Sequence, residues 1–331
     1  MSKKVLKYSN MKYLEIKIEK SYESVYICLK QKSFSEHFIK NLRSYFGAIM
    51  INGKPENINH PLKSGDILKI DRNPFKGTEI EKIYAPLDII YEDEYYLVIN
   101  KPSCLPTTPS KSHYHNNLAG MICAYINDSE FTLRIMNRLD KDASGIILVA
   151  KDTITYQNTV DIEKEYYAVC HGNIKRKTVV EAPIYTVIEN GINNRKRIIS
   201  PFGQYAKTTF TPIKHLKDMK YLNFRCKILK NFRAVLNKIA LSEKGNDISL
   251  KRDNSLTLVK AEIFKGRTHQ IRLHASSINH PLIGDKLYGI SDLYSHSYLH
   301  LKSIKFHNME LNRDFVFSVP FPKDFLAVLG K

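Results

Sequence analysis

The spacing of apolar and polar residues changes several times along the chain, and each change predicts an element. Tyr13-Leu14-Glu15-Ile16-Lys17-Ile18-Glu19 alternates with period two, the pattern of a half-buried strand. Over residues 23–31, Val25, Cys28 and Leu29 fall on one side at helical spacing. Ser33-Phe34-Ser35-Glu36 has the S-x-x-E spacing of a capping box that starts at Ser33. Behind it Phe38, Ile39, Leu42, Tyr45 and Phe46 recur every three or four residues, which predicts a helix with one apolar face. Lys40 and Arg43 fall on its other side. Residues 48–51 and 66–70 read as short strands, next to turn signals at Asn52-Gly53 and Ser64-Gly65. The runs at 95–99 and 146–150 are strand-sized.

Arg72-Asn73-Pro74-Phe75-Lys76-Gly77 breaks the periodicity with turn residues. It divides the chain into a small α+β module over 1–73, a linker over 74–85 and a larger domain over 86–331. There is no internal repeat of solenoid length. No apolar run approaches the roughly 18 residues needed to cross a bilayer. Residues 1–20 hold no continuous apolar core of a leader, so a cytoplasmic protein is expected.

Charge narrows the partner. The 331 residues carry 51 Lys+Arg against 33 Asp+Glu, a net of +18. Such a surplus favours a polyanion through phosphate contacts and counterion release. It is also uneven. Residues 1–73 hold 14 Lys+Arg and 7 Asp+Glu, and residues 214–254 hold 11 and 4, so each stretch nets +7. The second stretch reads as a basic insertion that would add to polyanion contact. Five cysteines without a C-x-x-C pair indicate neither a zinc site nor a disulfide framework.

Two stretches concentrate chemistry. In Arg138-Leu139-Asp140-Lys141-Asp142 two carboxylates lie among cations ahead of an apolar strand. A carboxylate held among cations stays ionised and suits a nucleophile or an electrostatic stabiliser. A charged surface loop is the plainer alternative. Gly266-Arg267-Thr268-His269-Gln270-Ile271-Arg272-Leu273-His274 is too polar to bury without partners. If extended, it sets Thr268, Gln270 and Arg272 on one side. No third ligand cluster accompanies its histidines, so no metal is expected.

These segments carry a family resemblance. Asn137 to Gly145 (N-R-L-D-K-D-A-S-G), Lys164-Glu165-Tyr166-Tyr167-Ala168-Val169, Gly266 to His274, and His280-Pro281-Leu282-Ile283-Gly284-Asp285-Lys286-Leu287-Tyr288-Gly289 occur in one order after Asp88 to Glu94 and Asn100-Lys101-Pro102. Together they resemble the RluA-type RNA pseudouridine synthases over 86–331. The basic helix with Ile51-Asn52-Gly53-Lys54 and the stretch Pro61 to Asp66 resembles, over 12–72, the αL-type RNA-binding module of a small-subunit ribosomal protein.

The resemblance implies an α+β fold with a mixed, mainly antiparallel central sheet flanked by helices. It implies isomerisation of uridine to pseudouridine in RNA, ribosomal rather than transfer RNA, with no cofactor and no metal, by a monomer. Asp140 matches the catalytic aspartate and Arg272 the arginine that pairs with it. Tyr166 matches the aromatic that stacks on the base and takes its C5 proton, with the adjacent Tyr167 as the alternative. Arg138 matches the arginine that fills the space of the flipped nucleotide. Lys40, Arg43, Arg267, His269 and Gln270 are the further RNA-contacting candidates. Asn137 stands where the family has His, Ala143 and Lys265 where it has Thr, and the interval from Tyr221 to Lys260 is long. Asp142 is the candidate for a second carboxylate. A non-catalytic ribosome-assembly factor and a nucleoside glycosidase are the competing readings.

Overall fold

The computed structural model describes residues 12–74, 80–110, 113–128, 131–188, 195–217 and 255–330. The N-terminal unit holds β1 (Tyr13–Lys17), α1 (Val25–Gln31), α2 (Glu36–Asn41), β2 (Ile49–Ile51), β3 (Lys54–Pro55) and β4 (Ile67–Asp71). Its strands form an antiparallel sheet in the order β1-β4-β2-β3. The apolar spacing is explained by burial of Val25, Cys28, Leu29, Phe38, Ile39 and Leu42 in one core.

Two local expectations shift. Ser35, not Ser33, caps α2, and its Oγ accepts the Phe38 N–H at 3.3 Å. Ser33 instead turns the chain after α1 with φ of 66°, away from the extended backbone typical of an N-cap. The apolar stripe also ends early. The helix stops at Asn41, a 3₁₀ turn covers Leu42–Ser44, and Phe46 is left 97% exposed.

The larger unit contains β5 (Ile89–Glu92), β6 (Tyr96–Lys101), α3 (Leu118–Ile126), β7 (Arg134–Ile135), β8 (Ser144–Ala150), α4 (Thr153–Asn158), β9 (Thr159–His171) and β10 (Thr178–Glu181). It continues through β11 (Ile184–Ile188), β12 (Arg195–Ile199), β13 (Lys207–Lys217), β14 (Ser255–Phe264), α5 (Gln270–Ser277), β15 (Leu299–Asn308), β16 (Arg313–Ser318) and α6 (Lys323–Val328). The main sheet runs β10-β13-β14-β9-β15-β8-β6-β5, with β16 beside β15 and β7 beside β8. Its pairings are antiparallel except β15 with β8, so the sheet is mixed and mainly antiparallel. At that parallel pair Gly145 faces Leu301 with φ of 116°, and a Cβ there would lie 2.3 Å from the Leu301 carbonyl oxygen. Only glycine permits this approach, which ties the end of the Asp140 segment to the sheet centre.

Every residue of β8 is buried, and Ile146, Ile147, Leu148 and Val149 form the middle of the main core. Each such side chain contributes roughly 1.5–3 kcal/mol over leaving it exposed. Lys217 pairs with Ser255, so residues 214–217 of the expected basic insertion belong to β13. Its remainder, 218–254, lies outside the described residues.

The two units dock at Arg72. Its guanidinium is buried and donates to both Glu310 oxygens at 2.6 and 2.9 Å, with Asp152 at 3.3 Å. Ile154 of α4 packs into the N-terminal core. Beyond 79 the expected linker is anchored, because Ile83 donates its N–H to the Gly120 carbonyl of α3 at 3.0 Å.

Candidate active site

Asp140 sits on a turn between β7 and β8 that is pinned on both flanks. Asn137 is buried, and its amide donates to the Ile146 carbonyl at 2.9 Å and accepts the Leu148 N–H at 2.8 Å. One asparagine thus supplies the donor and the acceptor that lock the turn onto β8. The Thr107 hydroxyl donates to the Leu139 carbonyl at 2.7 Å and accepts the Leu139 N–H at 3.3 Å. The buried Lys101 ammonium donates to the carbonyls of Pro102, Leu105 and Lys141 at 2.8, 2.7 and 3.2 Å. Burial lowers its pKa to about 7, against the pull of Asp140 and Asp142.

The second polar stretch, Gly266 to His274, is not extended. A turn with His269 at φ of 59° leads into α5, which starts at Gln270. Thr268, Gln270 and Arg272 therefore do not share a strand face. Gln270 is 3% exposed, and both ends of its amide are committed internally. Its oxygen accepts the Arg267 N–H at 2.9 Å, and its nitrogen donates to the Lys207 carbonyl and the Thr208 hydroxyl at 2.9 and 3.1 Å. These bonds hold the turn against β13.

Arg272 is the hub. Its Nε and Nη2 donate to the two oxygens of Asp285 at 2.8 and 2.7 Å, and its Nη1 donates to Asp140 Oδ2 at 3.3 Å. The Asp285 side chain is fully buried and also accepts the N–H groups of Leu287 and Tyr288. Burial opposes the charge on Arg272, but the two carboxylates outweigh it and hold the guanidinium protonated. Burial likewise pushes the Asp285 carboxyl up, and its bonds to Arg272 bring it below the usual range. The Tyr288 ring lies 5.4 Å from the guanidinium, and its hydroxyl meets His269 Nδ1 at 3.0 Å. His269 Nε2 stands 3.9 Å from Asp140 Oδ1. Burial lowers the pKa of this imidazole despite Asp140, so it is neutral near pH 7.

Tyr166 faces Asp140 from β9 and is 6% exposed, whereas Tyr167 points to the other side of the strand, against Phe321 at 5.3 Å. Strand alternation thus separates the two tyrosines. Burial raises the pKa of the Tyr166 phenol, and the charge on Asp140 adds to this. These side chains line a cleft of about 700 Å³. Arg138, Asp140, Tyr166, Arg267, His269, Gln270 and Arg272 all border it. Lys40 and Arg43 are exposed on the N-terminal unit. Asp140 is the one carboxylate among the described residues of the lining, and Asp142 does not border the cleft. The two-carboxylate arrangement of a typical glycosidase is therefore missing from this lining.

Residues 95–277 match the family described as RNA pseudouridylate synthase, a stretch that includes the Asp140 turn, Tyr166 and Arg272. The chain belongs to this family. It is 30% identical over 302 residues to the uncharacterized RNA pseudouridine synthase YjbO of Bacillus subtilis, covering 88% of this chain and 92% of that protein. It is also 30% identical over 252 residues to the ribosomal large subunit pseudouridine synthase D of Yersinia pestis, covering 73% and 65%. The solved human RNA pseudouridylate synthase domain containing 1 superposes with a TM-score of 0.51 at 18% identity, covering 72% of this chain and 84% of that one. The chain is thus an RNA pseudouridine synthase with the α+β fold of that family.

Several features of this synthase domain escape sequence reading. Asp285 was legible only as part of a motif, with no role attached. Thr107 and Arg197 border the cleft from outside the segments that carry the resemblance, and nothing in their local pattern marks them; Lys164 opens one of those segments with no role attached.

Proposed function

We propose that this synthase acts on uridines of large-subunit ribosomal RNA and that Asp140 is the carboxylate that engages the ribose. The observation that carries this reading is the Arg272–Asp140 contact at 3.3 Å, in a cleft whose described lining has no other carboxylate. The reaction breaks the N1–C1′ bond and joins C5 to C1′. A proton leaves C5 and one is gained at N1, so no redox partner or group donor is required. An ionised Asp140 serves either attack on C1′ or removal of the 2′ proton.

Tyr166 is read as the platform for the extruded uracil. Its raised pKa keeps the phenol protonated in the free enzyme, so it accepts the C5 proton only while passing its own proton on. Arg138, exposed two residues before Asp140, is read as the group that fills the vacated stack. Extrusion costs a few kcal/mol and less in loops, which favours looped RNA as substrate. The name of the Yersinia relative supports ribosomal RNA. Lys40 and Arg43 are read as phosphate contacts of the N-terminal module. The 2.8 Å pair of Lys40 with Glu36 is solvent-exposed and weak enough to exchange for a phosphate.

The test is incubation with unmodified large-subunit ribosomal and transfer RNA transcripts, followed by mapping of pseudouridine. Product at defined sites in the ribosomal transcript is expected. Product confined to transfer RNA would refute the substrate assignment.

A further inference from the structure

The charge of the cleft is unbalanced. Arg138, Lys141, Lys164, Arg197, Arg267 and Arg272 border it, against Asp140 alone. Arg272 is neutralised by its two carboxylates. Two other cations are partly stripped of water and lack an ionic partner among the described residues. Lys164 stands two residues before Tyr166, so both side chains leave β9 on the cleft face. Its ammonium is half-buried, and burial alone lowers its pKa.

Arg197 is the second. It lies on β12 opposite Thr186 of β11, in a two-stranded hairpin. The base of that hairpin is fixed. Ile184 and Gln204 exchange both main-chain hydrogen bonds at 2.9 Å, and a Cβ on Gly203 would fall 2.4 Å from the Ile184 carbonyl carbon. On the cleft side the Arg197 main chain lies close to the Tyr288 hydroxyl, which in turn meets His269. The side chain borders the cleft, close enough to His269 for its charge to act on that imidazole. Its Nη1 has no contact with solvent and no hydrogen-bond partner. A desolvated guanidinium nitrogen without an acceptor is costly to maintain, and it attracts an incoming anion more strongly than a hydrated one does.

We propose that Arg197 is a phosphate-binding residue, through which the β11–β12 hairpin holds an RNA phosphodiester beside the nucleotide entering the cleft, with Lys164 acting from the sheet side. The inference rests on the reading of RNA as substrate. Uracil and ribose bring only neutral acceptors, whereas each nucleotide brings one negative charge. Two uncompensated cations in a half-buried wall match charged linkages rather than a base edge.

The experiment compares wild type, Arg197→Gln, Arg197→Lys and Lys164→Gln in binding an unmodified large-subunit ribosomal RNA transcript across a salt series. Arg197→Gln is expected to reduce the slope of log affinity against log salt by about one, the share of a single phosphate contact. Arg197→Lys is expected to restore the slope, and Lys164→Gln to reduce it in the same way. With saturating protein, the single-turnover rate of Arg197→Gln should stay within about threefold of wild type while half-saturation rises, because the phosphate contact positions the RNA. An unchanged slope in Arg197→Gln overturns the proposal. So does a lowered melting temperature with an intact slope, since that marks a purely structural role. Pseudouridine formation by wild type on the same transcript is scored separately. Its failure would refute the substrate reading while the slopes still decide the role of Arg197.

Discussion

Arg272 gives two of its nitrogens to Asp285 and keeps the third for Asp140. The distances are 2.8 and 2.7 Å on the buried side and 3.3 Å on the open side. The buried carboxylate is the anchor, and the cleft carboxylate is held by whatever directional freedom the anchor leaves. A bidentate fork fixes the plane of a guanidinium, so the position of Nη1 is set by Asp285 rather than by Asp140.

Asp285→Asn tests that division. It keeps the shape but removes the buried negative charge, which leaves Arg272 without its anchor. A loss of about 3–5 kcal/mol in urea unfolding at pH 7 is expected. Asp285 titrates lower in the fold than in the unfolded chain, where an aspartate titrates near ~3.9. Its stabilisation is fully present above that unfolded value and disappears as pH falls through the folded one. The variant should lack this acid-dependent part of the wild-type curve. Parallel curves for the two proteins would contradict the assignment.

Lys101 makes a prediction at the other end of the pH scale. Its folded pKa of about 7 lies below the ordinary lysine value near ~10.4. Between those values the unfolded chain binds more protons than the fold, so stability rises with pH across that window. Lys101→Met removes this rise and strands the carbonyls of Pro102, Leu105 and Lys141, each at a cost of about 1–3 kcal/mol. The stability gap between wild type and variant should widen from pH 7 to 10. A constant gap would mean that Lys101 keeps an ordinary proton affinity.

The N-terminal module gives a separable result. Lys40→Glu with Arg43→Glu leaves the buried residues Phe38, Ile39 and Leu42 untouched. The pair should lower the salt slope of binding to the large-subunit transcript by about two, with the rate at saturating protein unchanged. An unchanged slope would reduce the module to a structural appendage docked through Arg72.

Of the segments that carry the family resemblance, the two most polar stretches both border the cleft, where their charge need not be buried. Periodicity also located the apolar faces of α1 and α2. What it could not supply was anything that depends on distant pairing. Ser33 and Ser35 offer equivalent hydroxyls, and only the turn after α1 decides between them. The part Gln270 plays in holding the turn depends on Lys207 and Thr208, over sixty residues earlier, which take its amide nitrogen. Tyr166 and Tyr167 are indistinguishable by type, and the direction of β9 separates them. Arg197 lies in a stretch whose local pattern carries no chemistry, and its place beside His269 follows from tertiary packing alone.

The measurement that bears most directly on the central claim is single-turnover pseudouridine formation by wild type and Asp140→Asn on one transcript, with RNA affinity measured for both. The variant keeps the Arg272–Asp285 anchor, so its fold and RNA affinity should stay within about threefold of wild type. Its rate should fall by about 10³-fold or more. Product at an undiminished rate, or a loss of affinity equal to the loss of rate, would contradict the assignment of Asp140 as the reacting carboxylate.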